Sequence, residues 1–316
     1  MPPDRVPLVS VAIPLYRSRR FVDCIAQNVE SIDYPSVEIL ISDRHHEDDA
    51  IDVLAARFAG DSRIRFLRAH DRLDWVAHYN LLLKMGTGKY FLWIPHDDSN
   101  SSGYISALVD YLERHPRTVL AFGGVDVVDD DGRTLWSDRH RKPRVSENAP
   151  WTLGAALRML VFGSMWLPQF HGVFRRDLVT GAGLFVRPTT GNVEPELYWV
   201  FAVGLLGEVR FVPACWYRKR LHGANVSVGW GARRASHVLD GITVPCGYLR
   251  DFVRNRGDLL RALPLLLLWG GLRTVGWFTQ AWPWPSSGGR TRVKRALERV
   301  LFGGGDGRRK GERHGT

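Results

Sequence analysis

The sequence predicts an α/β fold, a mixed central sheet flanked by helices on both faces with a helical C-terminal extension, and three observations carry that expectation. Short apolar runs alternate with amphipathic segments from Val9 to about Leu112, the pattern of βαβ units around a parallel sheet. One run after Lys89, Tyr90-Phe91-Leu92-Trp93-Ile94, is apolar without alternation, as a strand buried on both faces should be. The 316 residues, 45% hydrophobic and 24% charged, describe a globular chain with room for one large or two ordinary domains.

Taken in order, Val9 to Leu15 is a strand ended by proline, and Ser18 is placed to cap a helix carrying Phe21, Ile25, Val29 and Ile32 on one face. Val37 to Asp43 is a second strand finishing on an acid. Asp48 or Asp49 caps the next helix, which carries Ile51, Leu54 and Phe58 and closes at Gly60. Arg63 to Leu67 is a third strand. Trp75 to Met85 is a helix with Val76, Tyr79, Leu82 and Leu83 inward, closed by Gly86 and Gly88. Beyond the fourth strand, a helix from about Tyr104 to Arg114 precedes a strand over Val119 to Val128 and an acidic turn, Asp129-Asp130-Asp131-Gly132. Arg133 to Val145 reads as a polar, basic loop near the site. Trp151 to Phe162 is a helix, Phe170 to Phe174 a short strand, and Val209 to Tyr217 a last strand followed by Arg218, Lys219, Arg220 and His222.

This alternation makes the sheet Rossmann-like, and ligands of open α/β sheets bind beyond the carboxyl ends of the strands. Asp97 and Asp98 follow the fourth strand there. Adjacent carboxylates in a crevice are costly unless paired, and a divalent cation is the usual partner; the alternative is that they cap the following helix. No GxGxxG follows the first strand and no GxxxxGK[ST] occurs anywhere, which disfavours a glycine phosphate loop and leaves diphosphate charge to be met by a cation. A second acidic feature is Gly191-Asn192-Val193-Glu194-Pro195. Pro195 suits a first helical turn, so Glu194 is either a dipole-compensating acid or a general base at an element edge.

Cys24, Cys215 and Cys246 stand far apart in no CxxC pattern, which argues against a disulfide framework or a zinc ribbon and for a reducing compartment. The chain reaches its first strand with no charged-then-apolar leader, so a cytoplasmic location is expected. The net charge is +10, and residues 286–316, with nine bases against three acids, hold about +6 of it. Such a tail attracts anionic lipid headgroups or is simply solvated; it lacks the interleaved aromatics of a nucleic-acid stacking surface. From Leu259 to Trp284 the chain is apolar and rich in tryptophan but interrupted by Arg261, Pro264 and Arg273. That suits an interfacial helix at the inner face of the cytoplasmic membrane better than a spanning one, packing on the body being the alternative.

Seven of these stretches, in this order, resemble the family 2 glycosyltransferases, which have a GT-A fold. Val9 to Tyr16 is similar to the family's opening strand and P-x-Y, and Val37 to Asp43 to its second strand and acid. Trp75 to Asn80 resembles its A-R-N helix, and Gly88 to Asp98 its G-x-Y…D-x-D-D. Arg175-Arg176 with Gly183 and Phe185 resembles R-R-D…G-x-F, Val193-Glu194 the E-D pair, and Tyr217-Arg218 with His222 the Y-R-x-H tail. The likeness covers about residues 7–228. It departs at Pro95, where an acid is usual, at Arg44-His45-His46-Glu47-Asp48 after the second strand, and at Glu194, where aspartate is usual.

The resemblance implies an inverting transfer from a nucleotide-diphosphate sugar to a hydroxyl of a glycan, lipid-linked or other acceptor. It implies Asp98 with Asp97 as ligands of Mg2+ or Mn2+, and Pro14, Tyr16, Asp43, Asn80, Asp97, Arg218 and His222 as the nucleotide-sugar site, with Glu194 as the general base. It implies a GT-A catalytic domain over 1–230, with a nucleotide-binding half (7–130) and an acceptor-binding half (131–230). A helical, tryptophan-rich extension (231–285) and a basic tail (286–316) follow. The rivals are a catalytically degenerate relative that only binds nucleotide or membrane, and a sugar nucleotidyltransferase. The latter should carry a glycine-rich loop where this chain has Tyr16-Arg17-Ser18-Arg19-Arg20.

Overall fold

A computed structural model describes residues 6–44, 47–68, 73–138, 152–162, 167–223, 225, 235–255, 257, 259, 260, 263, 264 and 266–271. A nine-stranded mixed sheet runs through it. Its centre is β1 (Val9–Leu15), which pairs in parallel with β2 (Val37–Asp43) on one side and β4 (Tyr90–Trp93) on the other. β3 (Ile64–Arg68) extends the parallel array beyond β2. On the far side of β4 lies the antiparallel β8 (Val173–Arg175), then β6 (Thr118–Val128), then β9 (Glu208–Arg220), which runs parallel to β6. Two short antiparallel strands, β5 (Ser99–Asn100) on β9 and β7 (Thr134–Ser137) on β6, complete the sheet.

Both faces are covered, as the unbroken apolar strands require. On one face Val11 and Ile13 of β1 meet α1 (Val22–Ser31), α2 (Ala50–Arg57) and α4 (Tyr104–Arg114) through Ile25, Leu54 and Leu108. On the other, Ala12, Phe91 and Trp93 meet α3 (Trp75–Met85) and α7 (Pro195–Leu206) through Leu82 and Trp199. A helix apolar on all sides must be buried, and α7 is enclosed by α5 (Leu153–Phe162), α8 (Ala235–Phe252) and the sheet. A short α6 (Arg176–Gly181) joins β8 to the segment that precedes α7.

Several boundaries differ from the sequence expectation, each for a local reason. Ser18 does not cap α1: its hydroxyl turns back to accept from the Tyr16 N–H at 2.8 Å, and a 3-10 turn at Arg19–Phe21 leads into the helix. Asp48 rather than Asp49 serves the start of α2, accepting from the Ala50 N–H at 3.0 Å. Part of the basic excursion after Gly132 is strand β7; residues 139–145 lie outside the described set. The last strand runs on through Arg220, so Arg218, Lys219 and Arg220 are strand residues and not a basic cluster after it.

In the C-terminal extension α8 packs on the body. The Tyr248 hydroxyl donates to the Phe185 carbonyl at 2.9 Å, and the indole of buried Trp269 donates to the Gly241 carbonyl at 2.7 Å. Leu239, Ile242, Leu260, Leu263 and Leu267 stay exposed. Among the described residues no helix is long and apolar enough to cross a membrane. The basic tail lies outside them.

Where β6 and β9 shift register, between Phe122 and Gly124, the two backbones close to a distance only glycine permits. A Cβ on Gly123 would stand 2.4 Å from the Cys215 carbonyl oxygen. Gly123→Ala is therefore expected to lower stability by about 1–3 kcal/mol, read from the shift of its urea midpoint, because the strand that carries the site must give way. A midpoint equal to wild type would show that the register shift absorbs the methyl group.

Candidate active site

The site forms where β1, β2, β4 and β9 end together. Asp97 and Asp98 occupy a turn after β4, closed by the Asp98 N–H donating to the Pro95 carbonyl at 3.2 Å. They do not cap α4, which starts at Tyr104 behind a left-handed Gly103 (φ 69°). The turn is held from behind by α1, where the Asn28 amide donates to the Asp98 carbonyl at 2.7 Å.

Both carboxylates are buried, and their partners come from the end of β9. Asp98 Oδ1 accepts from the Arg220 N–H at 2.9 Å. Oδ2 is buried with no hydrogen bond, and the Lys219 ammonium stands 3.5 Å away. Asp97 Oδ2 accepts from His222 Nε2 at 2.9 Å and from Asn225 Nδ2 at 3.0 Å. The Arg20 guanidinium donates to His222 Nδ1 at 2.7 Å, which leaves Nε2 as the nitrogen whose hydrogen Asp97 receives. Arg220 ties the turn to the acidic hairpin, donating to the Asp97 carbonyl at 3.3 Å and the Asp130 carbonyl at 2.8 Å.

These surroundings push the two acids apart. Burial works to raise the Asp97 carboxyl, but the hydrogen bond from His222 and the nearby Lys219 ammonium outweigh it and hold it well below the usual range. Burial raises the Asp98 carboxyl and the Asp97 charge adds to it, while Lys219 and the Arg220 N–H oppose without prevailing. Burial works to lower the Lys219 ammonium, and Asp98 with Asp97 more than offsets that, so the side chain stays charged.

The expected nucleotide residues are partly brought together. Pro14 and Asp43 sit on adjacent strands, with Pro14 beside Ser42 and Leu15 beside Asp43 in register, and Asp43 is buried at the strand end. Tyr16 follows directly, its ring covered by the Arg44 guanidinium at 4.2 Å. His96 bonds the Pro14 carbonyl, and burial lowers its pKa below the ordinary histidine value. Asn80 is used elsewhere: its amide donates to the Val186 carbonyl at 2.8 Å and accepts from the Val186 N–H at 2.9 Å, clamping α3 to the segment before α7. Arg218 is exposed and lies opposite Ser99 in register, on the face of β9 away from Lys219.

Glu194 is buried and adopts a left-handed conformation (φ 58°, ψ 25°) immediately before Pro195 opens α7. Within the first turn, Glu196 carries an oxygen, Oε2, that is buried with no hydrogen-bond partner. Burial pushes the Glu196 carboxyl up to about 7, and the Glu194 charge adds to it against the pull of Lys219. Lys219 thus lies within electrostatic reach of Asp98, Asp97 and Glu196.

Arg20, Glu196 and Asn225 are site residues outside the sequence motifs, and Lys219 and Arg220 belong to the basic run after Tyr217 from which motif order selected Arg218. The signal for Lys219 was present: once β9 extends through Arg220, period-two alternation puts Lys219 on the face of buried Tyr217 and Arg218 on the other. No comparable local signal marks Arg20, which reaches the site only because the turn after β1 folds beneath His222.

A cation would have to rest on few protein ligands. Among the described residues no three His, Cys, Asp or Glu side chains gather as a metal cluster. The buried, unbonded Oδ2 of Asp98 is nevertheless an acceptor of the oxygen type that Mg2+ and Mn2+ prefer. Both ions complete their shells readily with water and phosphate oxygens, so Asp97 and Asp98 fit such an ion.

The sequence profile of glycosyl transferase family 2 matches residues 10–177. An uncharacterized glycosyltransferase of Rickettsia bellii is 25% identical over 171 residues, 53% of this chain and 24% of that protein. The chain thus spans about a quarter of that relative's length. An uncharacterized protein of Mycobacterium tuberculosis is 26% identical over 217 residues, 66% of this chain and 65% of its own. In fold the chain is similar to S. aureus TarS residues 1–349 in complex with UDP-GlcNAc (TM-score 0.58, 12% identity, 84% of this chain and 80% of that one). It is also similar to the mannosyltransferase PcManGT from Pyrobaculum calidifontis in complex with GDP-Man and Mn2+ (TM-score 0.51, 17% identity, 94% and 81%). The mixed sheet flanked by helices is therefore GT-A-like, and, with over half its length matched by the family profile, the chain belongs to glycosyl transferase family 2.

Proposed function

We propose that this chain transfers a sugar from a nucleotide-diphosphate sugar to an acceptor hydroxyl with inversion, acting at the end of β4 and β9. The observation that carries the reading is the Asp97–Asp98 pair, buried at the strand ends and braced by β9, with one carboxylate oxygen left unbonded. Asp97 and Asp98 would hold Mg2+ or Mn2+, which when bound supplies Lewis-acid stabilisation of the departing diphosphate. Pro14, Tyr16 and Asp43 line the place for base and ribose. Arg220, whose backbone and guanidinium already serve the acidic turn, takes the role that motif order gave to Arg218. His222 holds Asp97 in position through its bridge to Arg20. Glu194 accepts the proton of the acceptor hydroxyl as that oxygen attacks the anomeric carbon and the bond to the diphosphate breaks. The GT2 likenesses support the donor class; a glycan or a lipid-linked sugar suits the acceptor role.

The test is a thermal-shift panel of nucleoside diphosphates and their sugars with Mn2+, on wild type and Asp97→Ala. One nucleotide should raise the wild-type melting temperature, since a ligand at 100 times its Kd stabilises by about 2.7 kcal/mol, and the variant should lose that response. A panel in which no nucleoside diphosphate or sugar nucleotide moves the melting point would sink the proposal.

A further inference from the structure

We propose that Lys219 is a second, built-in cation of the donor site: it holds Asp98 when no divalent ion is bound and offers its ammonium to the diphosphate when the donor arrives. The inference rests on the donor-site reading above and deepens it. Three observations carry it.

The first is what faces the free oxygen. Asp98 Oδ2 is buried, lacks any hydrogen bond and has the Lys219 Nζ at 3.5 Å. The same oxygen is the acceptor a metal ion would use, so ammonium and metal draw on one atom. The second is how loosely Lys219 is held. A locked charge-assisted bond is about 2.7–2.9 Å long, and the observed separation is well beyond that. The Lys219 side chain is 24% exposed against 2% for Asp98, so it is the less enclosed member of the pair. The third is the missing acid. Pro95 precedes the acidic turn, and among the described residues no third acidic, histidine or cysteine side chain joins Asp97 and Asp98 in a metal-holding group. A site with fewer carboxylates and a resident ammonium depends less on a divalent ion for positive charge. Arg220 adds to that charge, but its guanidinium is engaged with backbone carbonyls of Asp97, Asp129 and Asp130. The Lys219 ammonium, by contrast, has its ion pair with Asp98 at 3.5 Å and no hydrogen bond to a backbone carbonyl among the described residues.

The experiment compares wild type, Lys219→Met, Lys219→Arg and the double variant Asp98→Asn/Lys219→Met in two titrations. In the first, Mn2+ alone is followed by electron paramagnetic resonance of the free ion. Lys219→Met should bind Mn2+ at least about tenfold more tightly than wild type, because Asp98 is released to the metal, and Lys219→Arg should stay near wild type. The double variant, which has lost both charges and so escapes the cost of a buried unpaired carboxylate, should forfeit that gain. In the second, UDP and GDP are titrated by calorimetry in EDTA. Wild type and Lys219→Arg should bind one of them measurably without metal, and both Lys219→Met forms should bind it at least about tenfold more weakly. Equal Mn2+ affinity in wild type and Lys219→Met would overturn the pairing with Asp98, whatever nucleotide the site takes. Equal metal-free nucleotide affinity in wild type and the double variant would overturn the role toward diphosphate. Binding of neither nucleotide by any form, even with Mn2+, would count against the donor-site reading itself, and the Mn2+ titration would still judge Lys219.

Discussion

Glu194→Gln is expected to lower turnover by about 10²–10⁴-fold at saturating donor and metal, while nucleoside diphosphate affinity stays at the wild-type value. Glutamine keeps the size and shape of the side chain but removes its negative charge and its capacity to take a proton. The backbone argues that the position of this acid matters. A left-handed conformation costs a residue with a Cβ about 1–2 kcal/mol, yet Glu194 holds φ 58° and is fixed from the C-terminal side by Pro195. Backbone strain of this kind persists where the surroundings over-determine it, and it gathers at functional sites. Near-wild-type turnover in Glu194→Gln would move the base elsewhere. Glu196 would then be next to test, since its buried oxygen has no hydrogen bond and its carboxyl titrates near 7. A base titrating near 7 would make the rate of metal-loaded enzyme rise through neutrality, because the proton must leave Glu196 first.

Trp93→Ala should lose about 3–5 kcal/mol of stability, read from the urea midpoint at constant slope. The indole is 1% exposed and is stacked on Phe170 at 5.0 Å and 14° between planes. Trp199 and Phe174 meet it at 5.1 and 5.3 Å, and its N–H donates to the Tyr79 carbonyl at 3.3 Å. Deleting it opens a cavity among rings that cannot collapse onto one another without leaving their offset and edge contacts. A domain's whole stability is about 5–15 kcal/mol, so the variant would stand near the edge of folding. Trp93→Phe keeps the stacking partner and should lose far less. A loss under about 1 kcal/mol in the alanine variant would mean that Phe170 and Trp199 close the gap between them.

β1, β2 and β4 were legible because each is an apolar run cut short by proline or acid, and β1 and β2 fall at the expected residues. So does α4, whose Ile105, Leu108, Val109 and Leu112 repeat at helical spacing and are all buried. The strand expected over Phe170 to Phe174, by contrast, is a 3-10 turn through His171 and a strand only from Val173. What escaped was decided by partners distant in sequence. β5 is two residues long and exists because β9 passes beside it. β7 is exposed along its whole length and is held by its pairing with β6. His78, on the helix face read as apolar, is buried because its Nε2 meets the Ser42 hydroxyl at 2.8 Å. Within the site, the acids were readable as isolated carboxylates at element ends. His222 was readable as well, but within the basic run after Tyr217 motif spacing selected Arg218, while strand alternation points Lys219 at Asp98.

The late position of β9 in the chain has a consequence for synthesis. The chain leaves the ribosome N-terminus first, at about 5–20 residues per second. β1 to β4 and the Asp97–Asp98 turn therefore emerge well before Glu208–Arg220. Until that last strand docks, the nascent protein displays one long bare edge of β6 and two neighbouring carboxylates without Lys219, the Arg220 amide or His222. An open edge is a template for wrong pairing, and like charges side by side resist dehydration. Docking of β9 both pairs the β6 edge and brings the partners of the two acids, so the strand that closes the sheet also completes the acidic pocket.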